Sequence, residues 1–229
     1  MADLNELTSQ MPTTEESDYI SAVFPNFLEP IAVLCDAMLS LPGGDPNEVQ
    51  TSVIKNGYAM SIIALAAFLL EGACGRARYC AGLDEEAKRW SAAATLREFK
   101  ENDLAEKIEE IFVVRDAIAR AHLWKGKTAW TENDLRFTQL PVQLPGYGDE
   151  KFKRLVDLDS RITRKLKLDV FPTRIHRGTA ITVLKECVAA LESLELKHEK
   201  FFLPLRFRTV RLRGGEFHQF YRWVRALNT

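Results

Sequence analysis

An all-α fold is the class this sequence predicts: a helical bundle with a short, basic, β-containing extension at its C-terminus. Apolar residues recur at helical spacing in several long segments. Capping residues and glycines mark the starts and stops of those segments. Only two stretches, within Lys125–Gly148 and Leu205–Arg213, read as strand.

The 229 residues suffice for one large domain with elaborations. A hydrophobic share of 46% and a charged share of 28% suit an ordinary globular chain. The apolar run around Ala64–Leu70 is interrupted by Lys55 and Glu71, so no membrane span is expected. The N-terminus has no basic region followed by an apolar stretch, and no secretory signal is expected either. Cys35, Cys74, Cys80 and Cys187 show no metal-ligand spacing, which suits small core residues in a reducing cytoplasm. The net charge of −1 hides an asymmetry. Nine acidic residues and no basic one lie between Asp3 and Glu48, while 18 Lys and Arg face 8 Asp and Glu from Lys151 on. The basic part is suited to a polyanion, or the two ends pair within the fold or across a dimer.

Residues 1–18 read as a flexible leader. A first helix ends at Leu41, with Phe27, Ile31, Leu34 and Met38 on one face, and Pro42-Gly43-Gly44 follows it. Asp45-Pro46-Asn47-Glu48 has the form of a helix start. The helix it opens is expected to reach Tyr79 or Cys80, apolar nearly all round as a central helix would be, with Gly82 as terminator. Gly72 and Gly75 either admit another backbone or bend it. Asp84-Glu85-Glu86 caps a third helix with Trp90 and Leu96, and a fourth runs from Asp103 to Trp124. Lys125–Gly148, rich in Gly and Pro, could hold a hairpin. Asp149–Leu168 reads as an amphipathic basic helix, and Thr173–His198 as the last core helix. Leu205–Arg213 suggests a strand ended by Gly214-Gly215, before an aromatic, basic tail.

The fourth helix carries the chemistry. Arg115 and His122 are seven positions apart, which on a helix is about 20° short of two turns and about 10 Å of rise, so both project from one face. A histidine of near-neutral pKa can move a proton to or from an RNA 2′-hydroxyl or leaving oxygen. An arginine fork stabilises charge on phosphorus, and the adjacent Asp116 can orient either group, or pair with Arg120 four residues on. One histidine is too few for both acid and base, which favours a two-fold dimer. Such spacing arises roughly once by chance in a chain of this composition, and Arg211 and Arg213 before His218 supply a decoy that spans two glycines. A structural helix with a surface ion pair is the plain alternative.

The segment Arg115-Asp116-Ala117-Ile118-Ala119-Arg120-Ala121-His122 resembles the signature of the HEPN superfamily: Arg, a polar residue, then His after four to six intervening positions. The resemblance implies a bundle of four core helices, here Pro25–Leu41, Asp45–Cys80, Asp103–Trp124 and Thr173–His198. Residues 19–200 would form the bundle with an insertion at about 125–170, and residues 201–229 a C-terminal extension. It implies a metal-independent, cofactor-free endoribonuclease of toxin or phage-defence type, dimeric, with an antitoxin or regulatory protein as a possible partner. Arg115 would contact the phosphate, His122 would act in proton transfer, and Asp116 would support them. Some members of the superfamily are non-catalytic binding or assembly modules.

Further candidates lie outside that helix. Arg174, His176 and Arg177 could bind an RNA phosphate at a helix start, or form a solvated helix start. Arg206, Arg208 and Arg211, with Phe207, Phe217, Tyr221 and Trp223, could track RNA, or alternate residues could pack the strand on the bundle. Glu71 is an unusual acid in an apolar helix and a candidate partner for Arg115 or Arg120. The rival functions are a helical module that binds nucleic acid or protein without turnover, and a structural dimerisation protein.

Overall fold

The computed structural model describes residues 22–42, 52–83, 87–120, 123–130, 135–146, 148–197 and 205–228. Within them the chain is mostly helical, with three two-stranded antiparallel sheets.

The central element is α2, Val53–Cys80. Ala59, Ile62, Ile63, Ala66, Leu70, Ala73 and Ala77 are fully buried on it, and its many alanines let neighbouring helices approach closely. Around it pack α1 (Leu28–Leu39), α3 (Ala92–Glu98), α4 (Asn102–Ala119) and α6 (Arg177–Lys197). A short 3-10 turn, Phe24–Phe27, lies directly on α2 at Gly72, where an added Cβ would stand 2.6 Å from the Phe24 Cβ. Gly72 therefore admits close approach. By length and composition alone α2 is long and apolar enough to cross a bilayer, a test that the core helix of a bundle also meets. Its C-terminus closes as the glycine predicts: Gly82 has φ +71°, its amide bonds the Tyr79 carbonyl at 3.0 Å, and the Leu83 amide bonds the Arg78 carbonyl at 2.9 Å.

The helix start expected at Asp45–Glu48 lies outside the described residues, as do residues 1–18 and the Asp84–Glu86 cap. The described start of α2 is Val53, where the Ser52 hydroxyl accepts from the Lys55 amide at 3.3 Å. The helix bearing Leu96 begins only at Ala92, capped by Ser91 through the Ala94 amide at 3.2 Å, so Trp90 precedes it.

Three other expectations need correction. The fourth helix ends at Ala119 rather than Trp124, with Arg120 as its C-cap. Trp124 instead opens β1 (Trp124–Trp130), where it pairs with Gln143 of β2 (Leu135–Gln143) and stacks edge-on to Phe171 at 5.7 Å. Strand pairing and aromatic packing override the helical period there. The basic helix expected over Asp149–Leu168 is only α5, Glu150–Leu155. Asp157 stops it by accepting from the Asp159 amide at 3.1 Å and the Ser160 hydroxyl at 2.6 Å, a local turn that competes with helix. A two-residue ribbon follows, β3 (Val156–Asp157) with β4 (Ile162–Thr163), and Arg161 and Lys167 adopt positive φ. The last core helix, α6, begins at Arg177 rather than Thr173, because Pro172–Arg174 forms a separate 3-10 turn.

Two buried carboxylates dock the outlying segments. Glu110 of α4, 2% exposed, accepts from the Lys165 and Leu166 amides at 2.6 and 2.7 Å and so ties the insertion to the helical core. Glu195 of α6 accepts from the Leu205 amide at 2.6 Å and the Tyr221 hydroxyl at 2.8 Å. Leu205–Arg213 is a 3-10 turn (Leu205–Phe207) followed by a strand of three residues, β5 (Thr209–Arg211), which turns at Gly214-Gly215 into β6 (Phe217–Gln219) and α7 (Phe220–Ala226). Val210, Phe220, Tyr221 and Val224 join the common core. The acidic and basic ends do meet: Glu29 accepts from the Arg211 amide and Asp36 from the Arg213 amide, through backbone rather than charge pairing.

Candidate functional site

Arg115 stands one turn before the end of α4, whose Val114 and Ala117 are buried in the core. Its guanidinium is half-buried and held on three sides. Nη1 donates to Glu71 Oε1 of α2 at 2.9 Å. Nε and Nη2 both donate to Asp116 Oδ1, at 3.0 and 2.6 Å. The Phe112 ring lies beneath it, 4.6 Å from centroid to guanidinium carbon. Burial opposes the charge, but hydrogen bonding and attraction from Asp116, then from Glu71, outweigh it, so the arginine's pKa lies above its ordinary value. Arg115 is thus a fixed cation, oriented by carboxylates from two helices.

The pairing of Glu71 with Arg115 is one of the two partners the sequence suggests. Asp116 does not take Arg120; it turns back to Arg115. Arg120 is exposed at the helix end and shares a hollow of about 20 Å³ with Val113, Asp116, Asp149, Lys151 and Phe152. That space accepts one water-sized group beside two cations and two carboxylates. His122 lies outside the described residues. Since α4 is described only to Ala119, a continuous two-turn face from Arg115 to position 122 is not part of the described helix.

The remaining candidates fall in two places. At the start of α6, the His176 Nδ1 accepts from the Gly178 amide at 2.9 Å, and its Nε2 lies 3.3 Å from Asp169. The imidazole therefore caps the helix and occupies an amide that a phosphate would take. Arg177 is exposed beside it, and Arg174 sits in the preceding 3-10 turn. That turn is fastened to α2 by Asn56, whose side-chain amide donates to the Pro172 and Ile175 carbonyls at 2.7 and 2.9 Å. Arg206 in the Leu205–Phe207 turn, Arg208 just after it and Arg211 in β5 are all exposed. Tyr221, expected there as a stacking face, is instead 2% exposed and bound to Glu195.

Sequence reasoning missed Glu110 and Glu195. The available signal was an acid within an apolar helical stripe, the same signal that singled out Glu71. The sequence also left unassigned a cavity of about 840 Å³ between the β2 end and the β3–β4 turn, lined by Val142, Leu144, Lys153, Leu158 and Arg161 among others. Arg161 spans it, donating from Nε to the Pro141 carbonyl at 2.6 Å. Among the described residues, no three His, Cys, Asp or Glu side chains converge as a metal site would require. In comparisons with known proteins, no family model, no curated protein and no solved structure matches the chain.

Proposed function

We propose that this is a cytoplasmic, HEPN-like endoribonuclease that acts as a homodimer without a metal or cofactor, with Arg115, Asp116 and His122 at its site. The observation that carries the reading is the fixed Arg115 guanidinium, gripped by Asp116 on its own helix and Glu71 on the next. Preorganised donors of this kind stabilise charge that develops on a phosphoryl group without reorganising during the reaction.

In the proposed reaction the RNA 2′-hydroxyl loses its proton to a base and its oxygen attacks phosphorus. The 5′-oxygen leaves with a proton, and a 2′,3′-cyclic phosphate remains. His122 serves one of the two proton transfers and the dimer partner's copy the other. Arg115 contacts a non-bridging oxygen. Glu71, whose side chain is 43% exposed, is the partner a phosphate would displace, leaving Asp116 to hold the arginine. An antitoxin or regulatory protein would keep such a site closed.

A second reading rests on charge. One guanidinium against two carboxylates is a net negative cluster, which disfavours a phosphate at this site and so favours a helical module that binds nucleic acid or protein elsewhere, through its basic C-terminal part, without turnover. One assay separates the two. Wild type, Arg115→Ala and His122→Ala are incubated with RNA in chelator, and cleavage ends are mapped. The ribonuclease reading expects cyclic-phosphate ends from wild type and a loss on the order of 10²–10³-fold in each variant. Equal cleavage by all three proteins, or cleavage abolished by chelator, overturns it; no turnover with retained binding establishes the module.

A further inference from the structure

The outward face of the C-terminal hairpin combines exposed rings with unpaired cations. Phe207 and Phe217 are 65% and 69% exposed. Each has an arginine beside it: Arg206 lies 4.9 Å from the Phe207 centroid and Arg211 5.8 Å from that of Phe217. Arg206 and Phe207 lie in the 3-10 turn before the hairpin, and the strand period places the second pair. In β5, Val210 is buried while Thr209 and Arg211 point out, and Arg211 pairs directly across the ribbon with Phe217. From Leu205 to Asn228 there are six arginines against one acid, Glu216. Arg225 pairs with Glu192 and His218 with Glu216, but Arg206, Arg208 and Arg211 make no ion pair among the described residues.

This surface is rigid beneath its exposed side chains. Val210, Phe220 and Val224 anchor it in the core, and Glu195 fastens both the Leu205 amide and Tyr221. The free edge of β5 is already occupied, since Glu29 and Asp36 accept from the Arg211 and Arg213 amides. An extended peptide therefore cannot add as a further strand there, and recognition falls to side chains. Two exposed aromatic faces among unpaired guanidiniums call for a partner that alternates flat rings with anions. An acidic peptide would satisfy the cations and leave the rings in water, and a duplex keeps its base faces stacked inside.

We propose that the outward side chains of the β5–β6 hairpin and of the 3-10 turn before it form a platform for single-stranded nucleic acid, with Phe207 and Phe217 stacking bases and Arg206, Arg208 and Arg211 meeting phosphates. The platform stands on its own geometry and holds whether or not Arg115 is catalytic.

Fluorescence anisotropy of the full chain with a labelled single-stranded oligouridine, and with an RNA duplex of equal length, tests it. Wild type prefers the single strand. Phe207→Ala with Phe217→Ala weakens that binding about tenfold or more and leaves the salt slope intact. Arg208→Ala with Arg211→Ala lowers the slope by about 0.7 for each arginine. A 2′-O-methyl strand, which lacks the attacking hydroxyl, gives the same ranking of variants and keeps this result separate from the fate of the ribonuclease reading. Absence of binding at low salt, equal or tighter duplex binding, or an unaffected double-phenylalanine variant overturns the platform. Displacement of the strand by polyglutamate that is indifferent to both phenylalanines also overturns it, in favour of an acidic protein partner. Crosslinking of thiouridine RNA to peptides spanning residues 205–219 gives a second readout that needs no variant.

Discussion

Glu71 and Arg115 lie 44 positions apart in the chain and 2.9 Å apart in the fold, where they join α2 to α4 beside the Phe112 ring. The contact is partly open to solvent, so the pair contributes about 1 kcal/mol or less to stability and matters chiefly through orientation and charge. Glu71→Gln keeps an oxygen near Arg115 and removes one negative charge. It is expected to raise RNA affinity while leaving kcat/KM within about threefold of wild type. Asp116→Ala removes the closer partner and is expected to lower kcat/KM about tenfold or more through misplacement of the guanidinium. Steady-state cleavage of a defined RNA by both variants checks this; a hundredfold loss in Glu71→Gln with Asp116→Ala unaffected contradicts the assignment of orientation to Asp116.

Glu110 holds two backbone amides of the insertion from inside α4. Hydrogen bonds to a charged group are worth about 1.5–3 kcal/mol each, and Glu110→Ala would leave both amides without that acceptor. A loss of about 3 kcal/mol in urea unfolding is expected, with protease cleavage appearing near Arg164–Lys167. Glu109→Ala, on the same helix but paired only with the side chains of Arg97 at 3.0 Å and Arg154 at 3.4 Å, is expected to cost less than Glu110→Ala.

Glu195 gives the fold a pH dependence. Burial raises its pKa above the ordinary glutamate value, and the bonds from Tyr221 and Leu205 only partly offset that. A proton held in the folded chain and released on unfolding stabilises the fold. That contribution is complete below the unfolded pKa and is lost as pH rises through the folded one. Stability measured by urea unfolding should therefore fall from acid toward neutral pH by more in wild type than in Glu195→Gln, which cannot titrate. Parallel profiles for the two proteins would remove Glu195 as the cause.

Two glycines of α2 should respond oppositely to alanine. At Gly72 the new Cβ meets the Phe24 Cβ at 2.6 Å, an atom held by its backbone, so overpacking of about 1–3 kcal/mol exceeds the helix-propensity gain of about 1 kcal/mol. At Gly57 nothing lies within 4 Å, and Gly57→Ala should stabilise by about 0.5–1 kcal/mol. Thermal unfolding of the two variants should move the midpoint in opposite directions.

The reach of local sequence is visible in α1 and α6, whose apolar periods stand out because one helix face packs on a shared core, and in α2, apolar nearly all round because other helices surround it. Gly82 and Gly215 were equally legible, since both take positive φ, a conformation that favours a residue without a Cβ. Asp149–Leu168 shows where periodicity misleads. Phe152, Leu155, Val156, Ile162 and Leu166 have helical spacing, but hydrogen bonds to Asp157 turn the chain after six helical residues. In the candidate site, Arg115, Asp116 and Glu71 were each readable as polar groups out of place in apolar helices. Their geometry was not, because Asp116 had one helical partner at Arg120 and took another at Arg115.

By itself, then, the sequence determined the long core helices and which residues are chemically conspicuous, because both follow from spacing along one chain. Tertiary structure decided the pairings: Glu71 with Arg115, Glu110 with the insertion, Glu195 with Tyr221. It also decided that Tyr221 is buried while Phe207 and Phe217 face outward. A buried or half-buried charge takes whichever partner the packing of two distant elements brings within about 3 Å, and no local period encodes that distance.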